Sequence, residues 1–533
     1  MDLRQQLSRA ASHLNSGHPV RCIELCNELL TRAPGQPDIH HLRGMAAAAQ
    51  GDAESAIADL ALAWKANRQN NQAAFWLGRL LRQQERYTGA IAPLSEAKNA
   101  TPFAADASYE LARVLTRLRR VEDAIAEYRQ VLKLQPEHTD AAANLAFLLE
   151  RANQLAESEG LADQTLSRAP DHILAGLTKA TLERRSGRVD SAADRLRQLL
   201  GYELAPMNRS IALNQLAQCL ELQRNYGEAF RHYQQSNHLL RTEHPHGQPV
   251  HDGSYGAGTL NSIIQWLDRN PCDSWSAAAE ETDSPVFMVG FPRSGTTLMD
   301  QALAAHPAIE VLEEQELLDE VRRRYVDGDA IQQLDRLSGQ DIAAAKSLYF
   351  EALNRQRKHA DKPVIVDKLP LNLPYLFLIH RLFPNASILF MMRDPRDACL
   401  SCFFQTFDLQ GAMPYFLEYT ETTRYYDLVM RLATKTIGQI SNPVKMVRYE
   451  SLVSQFETEM REVLDFMNVD WHPDVMSYRQ KAASRIIDTP SYQQVVKPLY
   501  TGSIGRWRKF ATETEPGLAL LGPWIEEFDY PES

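Results

Sequence analysis

Small residues recur along the first half of this chain at a fixed interval of 34, at Gly44, Gly78, Ala112, Ala146 and Ala180. A second series keeps the same interval at Ala56, Ala90, Ala124 and Ala192, with Ser158 in the one remaining slot. Pro34, Pro102, Pro136 and Pro170 fall on the same lattice. Three series in phase constrain the fold more than any composition does, because a fixed period of this length means one supersecondary unit copied along the chain. Each unit reads as two amphipathic helices. In one of them Leu111, Val114, Leu115 and Leu118 form the first apolar stripe, and Ala124, Ile125, Tyr128 and Leu132 the second. Glycine or alanine lets two helix axes approach closely, and proline ends the second helix because its nitrogen carries no hydrogen for the ladder. A lone helix pair cannot bury its apolar face, so the units must stack into a superhelical array.

This pattern resembles the tetratricopeptide repeat family over about residues 3–240, some six or seven units, the last of which (Ala217, Ala229) is displaced by three residues. The resemblance implies a concave surface that holds a peptide or a partner protein. A spacer or a homodimerisation platform is the plainer alternative.

The chain has 533 residues, enough for two or more domains, and its 44% hydrophobic and 23% charged content is that of an ordinary folded protein. A formal charge of -11 argues against general nucleic-acid binding. No run approaches the roughly 18 apolar residues of a membrane span, and MDLRQQLSRAASHLNSG lacks the apolar stretch of a secretory signal, so a cytoplasmic location is expected. Six cysteines form no disulfide framework, and Cys399 and Cys402 have no second ligand pair for zinc, so no metal is expected. Residues 241–284, rich in Pro, Gly and His, read as a linker with one short helix around Ser262–Leu267, and His244, His246 and His251 as solvated linker side chains.

From residue 285 onward the pattern changes. PVFMVGFPRSGTTLMDQ is an apolar strand, a Gly/Pro turn and a helix start, an arrangement that aims backbone N–H groups at an anion. Gly290 and Gly295 have the spacing of a nucleotide-triphosphate loop, but Thr296 stands where that motif requires the lysine that reaches the β- and γ-phosphates. Arg293 supplies a planar cation instead, suited to phosphate or sulfate. A second strand, Ser387–Met392, ends in Arg393 and leads to Ser401, and a third, Pro363–Val366, ends in Asp367 and Lys368. Arginine, serine and lysine at strand C-termini lie where open α/β sheets bind ligands.

GFPRSGTTL, LEEQE, DKLP, LFPNASILFMMRDPRDACLSCF and VVKP followed by IGRW together resemble the sulfotransferases, especially their tyrosylprotein branch, over about residues 285–515. The resemblance implies a multidomain α plus α/β protein. Residues 1–240 would form an all-α superhelix, and 285–533 a three-layer P-loop-type domain with a mostly parallel sheet. The co-substrate implied is 3′-phosphoadenosine 5′-phosphosulfate, leaving adenosine 3′,5′-bisphosphate as product. Arg293, Ser294, Gly295, Thr296 and Thr297 would hold the 5′-phosphosulfate, Arg393 and Ser401 the 3′-phosphate, and Pro292, Leu298, Tyr449, Lys497 and Arg506 would make further cofactor contacts. Glu314 would be the base, with Lys368, Ser491 and Arg293 acting on the transferred group. One departure concerns the acceptor: Glu316 stands where the tyrosylprotein branch has an arginine facing acidic peptides. An acidic acceptor is therefore disfavoured, and a protein tyrosine, glycan, lipid or small phenol all stay open. An ATP-dependent kinase or NTPase and a non-catalytic repeat scaffold are the competing readings.

Overall fold

The computed structural model describes residues 3–275, 284–479 and 501–531. The chain divides into two compact units, Met1–Leu182 and Glu183–Ser533.

The first unit is helical throughout: α1 (Leu3–Asn15), α2 (Pro19–Arg32), α3 (Pro37–Ala49), α4 (Ala53–Ala66), α5 (Asn71–Gln83), α6 (Tyr87–Ala97), α7 (Ala104–Arg117), α8 (Val121–Leu134), α9 (Thr139–Arg151), α10 (Leu155–Arg168) and most of α11 (Ile173–Arg185). The lattice of small residues marks the seams between paired helices. A Cβ on Gly44 of α3 would come within 2.9 Å of Leu60 on α4, and the same position on α5, Gly78, faces Leu94 of α6. Ala56, Ala90, Ala124 and Ser158 are all 0% exposed. Ser158, the polar member of its series, gives its hydroxyl to the carbonyl of Ala146 at 2.6 Å, which answers the cost of burying it. Helix α8 stops two residues before Pro136 and α10 two before Pro170, as the restriction on a residue preceding proline requires. Asp52 and Asn70 cap α4 and α5 by accepting the backbone N–H groups of Ser55 and Ala73.

The second unit begins with repeat-like helices, α12 (Val189–Leu200), α13 (Pro206–Leu222) and α14 (Tyr226–Glu243), which are thus grouped with the sheet that follows. Helix α15 spans Ala257–Arg269, longer than the sequence pattern indicated. The Tyr255 carbonyl just before it accepts from the Tyr425 hydroxyl at 2.9 Å, and the Ala257 N–H donates to the Tyr415 hydroxyl at 2.8 Å, so the segment docks on the sheet-bearing region.

Five strands form one parallel sheet: β1 (Val286–Gly290), β2 (Ile309–Glu313), β3 (Val364–Lys368), β4 (Ile388–Met392) and β5 (Val444–Arg448), in the order β2-β3-β1-β4-β5. Between them run α16 (Thr296–Ala304), α17 (Asp319–Tyr325), α18 (Gly339–Gln356), α19 (Leu376–Leu382), α20 (Pro395–Phe403) and α21 (Tyr419–Ile437). After β5 come α22 (Tyr449–Ser454), α23 (Phe456–Phe466) and α24 (Ala511–Glu527). One face of the sheet (Met288, Leu389, Met391, Val447) packs on Met299 of α16 and Met460 of α23. On the other face Phe287 meets Tyr349 of α18 and Phe383 beyond α19. Strand β2 was not legible as a strand, because Glu310 and Glu313 interrupt its apolar residues. Among the described residues no helix is long and apolar enough to cross a membrane.

Candidate functional site

A parallel sheet puts every strand's C-terminus on one edge, and here each of the five ends in a group able to hold or transfer charge. In spatial order they are Glu313 closing β2 with Glu314 next to it, Lys368 closing β3, the loop after β1, Arg393 after β4 and Tyr449 after β5. The loop is built for close approach. Gly290 lies so near β4 that a Cβ would sit 2.6 Å from the Met391 carbonyl. Arg293 and Gly295 both take left-handed φ, 70° and 91°. That conformation is open to glycine, whereas in arginine it is strain of the kind that collects at functional sites. It delivers Thr296 and Thr297, both buried, to the first turn of α16, whose leading N–H groups have no partner within the helix.

At the β2–β3 end, Glu313 and Lys368 are register partners. Lys368 is 0% exposed, with its Nζ 3.0 Å from Asp300, 3.5 Å from Glu313 and 3.1 Å from Glu314. Burial alone would lower the ammonium's affinity for its proton, but the three carboxylates outweigh burial and hold Lys368 above the usual lysine range. Burial pushes the Asp300 carboxyl up, against the pull of Lys368. Glu314 is exposed, takes a left-handed φ of 51° and donates its N–H to the Lys368 carbonyl at 2.8 Å. A carboxylate thus stands at the surface directly against a buried cation.

The β1–β4 end has the opposite sign. Arg393 spends its Nη1 on the Arg293 carbonyl at 3.1 Å and its Nη2 on the Ser503 carbonyl at 2.6 Å. Its guanidinium lies 4.8 Å over the Tyr449 ring, and its Nε is buried without a partner among the described residues. Arg293 Nε donates to Ser401 Oγ at 3.1 Å. Burial, with Arg393 and Arg506 nearby, pushes the Arg293 guanidinium down to about 10, so it stays charged at neutral pH in surroundings that an anion would relieve.

The comparisons with known proteins come down on one side. Residues 285–473 match the sulfotransferase family. This region is a sulfotransferase-family domain. Upstream, residues 115–182 and 177–236 match tetratricopeptide repeats, and 49–131 match the family described as anaphase-promoting complex, cyclosome, subunit 3. An uncharacterized protein of Aquifex aeolicus is 25% identical over 353 residues, covering 64% of this chain and 46% of its own length. The protein-tyrosine sulfotransferase of Drosophila melanogaster is 27% identical over 272 residues, 46% of this chain and 53% of its own length. Protein-tyrosine sulfotransferase 1 of Homo sapiens is 27% identical over 265 residues, 47% of this chain and 71% of its own length. The chain therefore spans about half the length of the first two relatives, at 46% and 53%.

Within the sulfotransferase domain the sequence-derived residues do not all share one place. Arg293, Ser294, Gly295, Thr296, Thr297, Glu314, Lys368, Arg393, Ser401 and Tyr449 meet on the sheet edge. Pro292 and Leu298 serve it from behind: the Pro292 carbonyl accepts from Cys402 Sγ at 3.3 Å, and Leu298 packs into the core beneath the sheet. Arg506 is engaged by Glu221 of α13 through both carboxylate oxygens and lies 4.9 Å over the Phe404 ring. Ser491 and Lys497 lie outside the described residues. Three participants went unread. Asp300 had a signal, being a carboxylate among the apolar residues Leu298, Met299, Ala302 and Leu303 of one short helix. Ser503, which gives its carbonyl to Arg393 and pairs its hydroxyl with Tyr449 at 2.8 Å, and Glu221 had none. Asp397 of α20 ties the 505–507 segment in place by accepting the N–H groups of Gly505 at 2.6 Å and Trp507 at 2.8 Å. Among the described residues no group of His, Cys, Asp and Glu is arranged to hold a metal ion.

Proposed function

We propose that this chain transfers a sulfuryl group from 3′-phosphoadenosine 5′-phosphosulfate to a hydroxyl on a protein or peptide. The observation that carries the reading is the order of charge along the sheet edge: an exposed carboxylate, a buried ammonium, an anion loop and a guanidinium, each at the end of its own strand. That order matches the order of events in an in-line transfer. The unpartnered Arg393 Nε and the Tyr449 ring suit a terminal phosphate, and the α16 N-terminus with Arg293 suits the phosphosulfate. Glu314 would take the acceptor's hydroxyl proton as the oxygen bonds to sulfur. Lys368 would stabilise the charge left on the donor's bridging oxygen as the other sulfur–oxygen bond breaks and the bisphosphate departs. No lysine stands in the loop to reach a γ-phosphate, which disfavours ATP.

The acceptor is proposed as a protein or peptide hydroxyl, tyrosine being the residue named for the relatives, with the repeats recruiting it and the chain working in the cytoplasm. Glu316 is exposed just beyond the acidic pair, so acidic flanks on that acceptor would be repelled. Calorimetric titration with adenosine 3′,5′-bisphosphate and with ATP tests the donor without any acceptor. The bisphosphate should bind the more tightly, and Arg393→Ala should weaken it by about a hundredfold, the worth of a buried charge-assisted hydrogen bond. A preference for ATP, or no bisphosphate binding, sinks the reading.

A further inference from the structure

The last helix pair of the repeat region reaches into the sulfotransferase domain at one particular place. Helix α20 carries Ser401, which receives the Arg293 hydrogen bond. Its final carbonyls, like those of any helix, have no partner inside the helix. Two asparagines supply partners. Asn214 of α13 donates its amide to the Phe404 carbonyl at 3.0 Å, and Asn237 of α14 donates to the Phe403 carbonyl at 2.8 Å, both side chains being buried. Tyr233 of α14 stacks on the Phe404 ring at 3.9 Å, and Glu221 of α13 fixes Arg506 above that same ring. These helices also belong to one compact unit with the sheet.

We infer that α13 and α14 are positioning elements of the donor site. Asn214 and Asn237 hold the last turn of α20 so that Ser401, and through it Arg293, keeps the geometry that receives an anion. This rests on the donor reading above, and it assigns the final repeat pair a task distinct from partner recruitment. If the amides are lost, the last turn of α20 frays, Ser401 shifts, the Arg293 side chain loses its anchor, and Cys402 of the same turn loosens its hold on the Pro292 carbonyl.

A control separates positioning from mere docking. Arg241 of α14 pairs through both terminal nitrogens with Glu421 of α21, at 2.9 and 2.8 Å, and among the described residues its side chain hydrogen-bonds to neither α20 nor the loop. The full chain carrying Asn214→Ala with Asn237→Ala, the full chain carrying Arg241→Ala and the wild type are titrated with adenosine 3′,5′-bisphosphate after their melting temperatures are measured. The double variant should bind at least tenfold more weakly and Arg241→Ala within twofold of wild type, even where the two lose similar Tm. Should the double variant fail to fold, each single asparagine variant is expected to weaken binding about threefold. Unchanged affinity in the asparagine variants, or equal loss in Arg241→Ala, overturns the inference and leaves the donor assignment standing. A wild type that binds no bisphosphate removes both.

Discussion

The two ends of the sheet edge are neutralised in opposite ways. Around Lys368 one buried ammonium faces three carboxylates, the buried Asp300 and the more open Glu313 and Glu314, so the carboxylates outnumber the cation. Around Arg393 the guanidinium is bonded to backbone carbonyls and keeps one buried N–H unanswered. The acidic end is complete in itself. The basic end gains its largest stabilisation only when an anion arrives. Under the proposed reaction, complementarity to the donor would be stored as a deficit at one end, and reactivity toward the acceptor as an excess at the other.

Replacing Lys368 breaks the comparison most severely. Lys368→Met leaves Asp300 buried without its cation, and removing one partner of a buried ion pair costs about 3–5 kcal/mol. Urea denaturation at neutral pH should show that loss, with a smaller deficit at acid pH where the carboxyls are neutral.

Asp367, the neighbour of Lys368 in the sequence, sharpens the comparison. Its carboxyl is fully buried, accepts from the Tyr349 hydroxyl at 2.9 Å, and is pushed up to about 7 by burial, Tyr349 partly opposing. The folded state therefore holds this proton more tightly than the unfolded chain does. The contribution to stability is full below about pH 4 and is lost as pH rises through about 7, on the order of 2–4 kcal/mol in all. Asp367→Asn should flatten that part of the pH profile in chemical denaturation and be the more stable protein at pH 8.

The smallest effect is expected at the basic end. Gly295→Ala puts a Cβ 2.5 Å from the Tyr449 ring at a φ of 91°, which combines a clash with a disfavoured backbone. A loss of about 1–3 kcal/mol is expected in thermal unfolding, and bisphosphate affinity should fall further than that stability loss explains, because Tyr449 is displaced from Arg393. An unchanged melting temperature would show that Tyr449 can move aside freely.

The repeats were legible in the sequence because the contacts that define them are local. Gly44 meets Leu60 and Gly78 meets Leu94, each pair 16 positions apart, so the period of the fold is the period of the string. The anion loop and the strands carrying Arg393 and Lys368 were legible for a similar reason, since strand, turn and helix follow one another along the chain. Sequence by itself determined which residue types stand at the ends of β1, β3, β4 and β5 and that the loop lacks a triphosphate lysine. It did not reveal that β2 sits beyond β3, which is what sets Glu314 against Lys368, nor that Asp300 turns inward to meet the same ammonium. Nor did it set Asn214 and Asn237 against the end of the helix that carries Ser401, 190 and 166 positions from the carbonyls they bond, or Glu221 against Arg506. Those pairings depend on strand order and helix docking, and no one-dimensional spacing encodes them. Tertiary structure alone brings the charges close enough, and far enough from water, for their signs to matter.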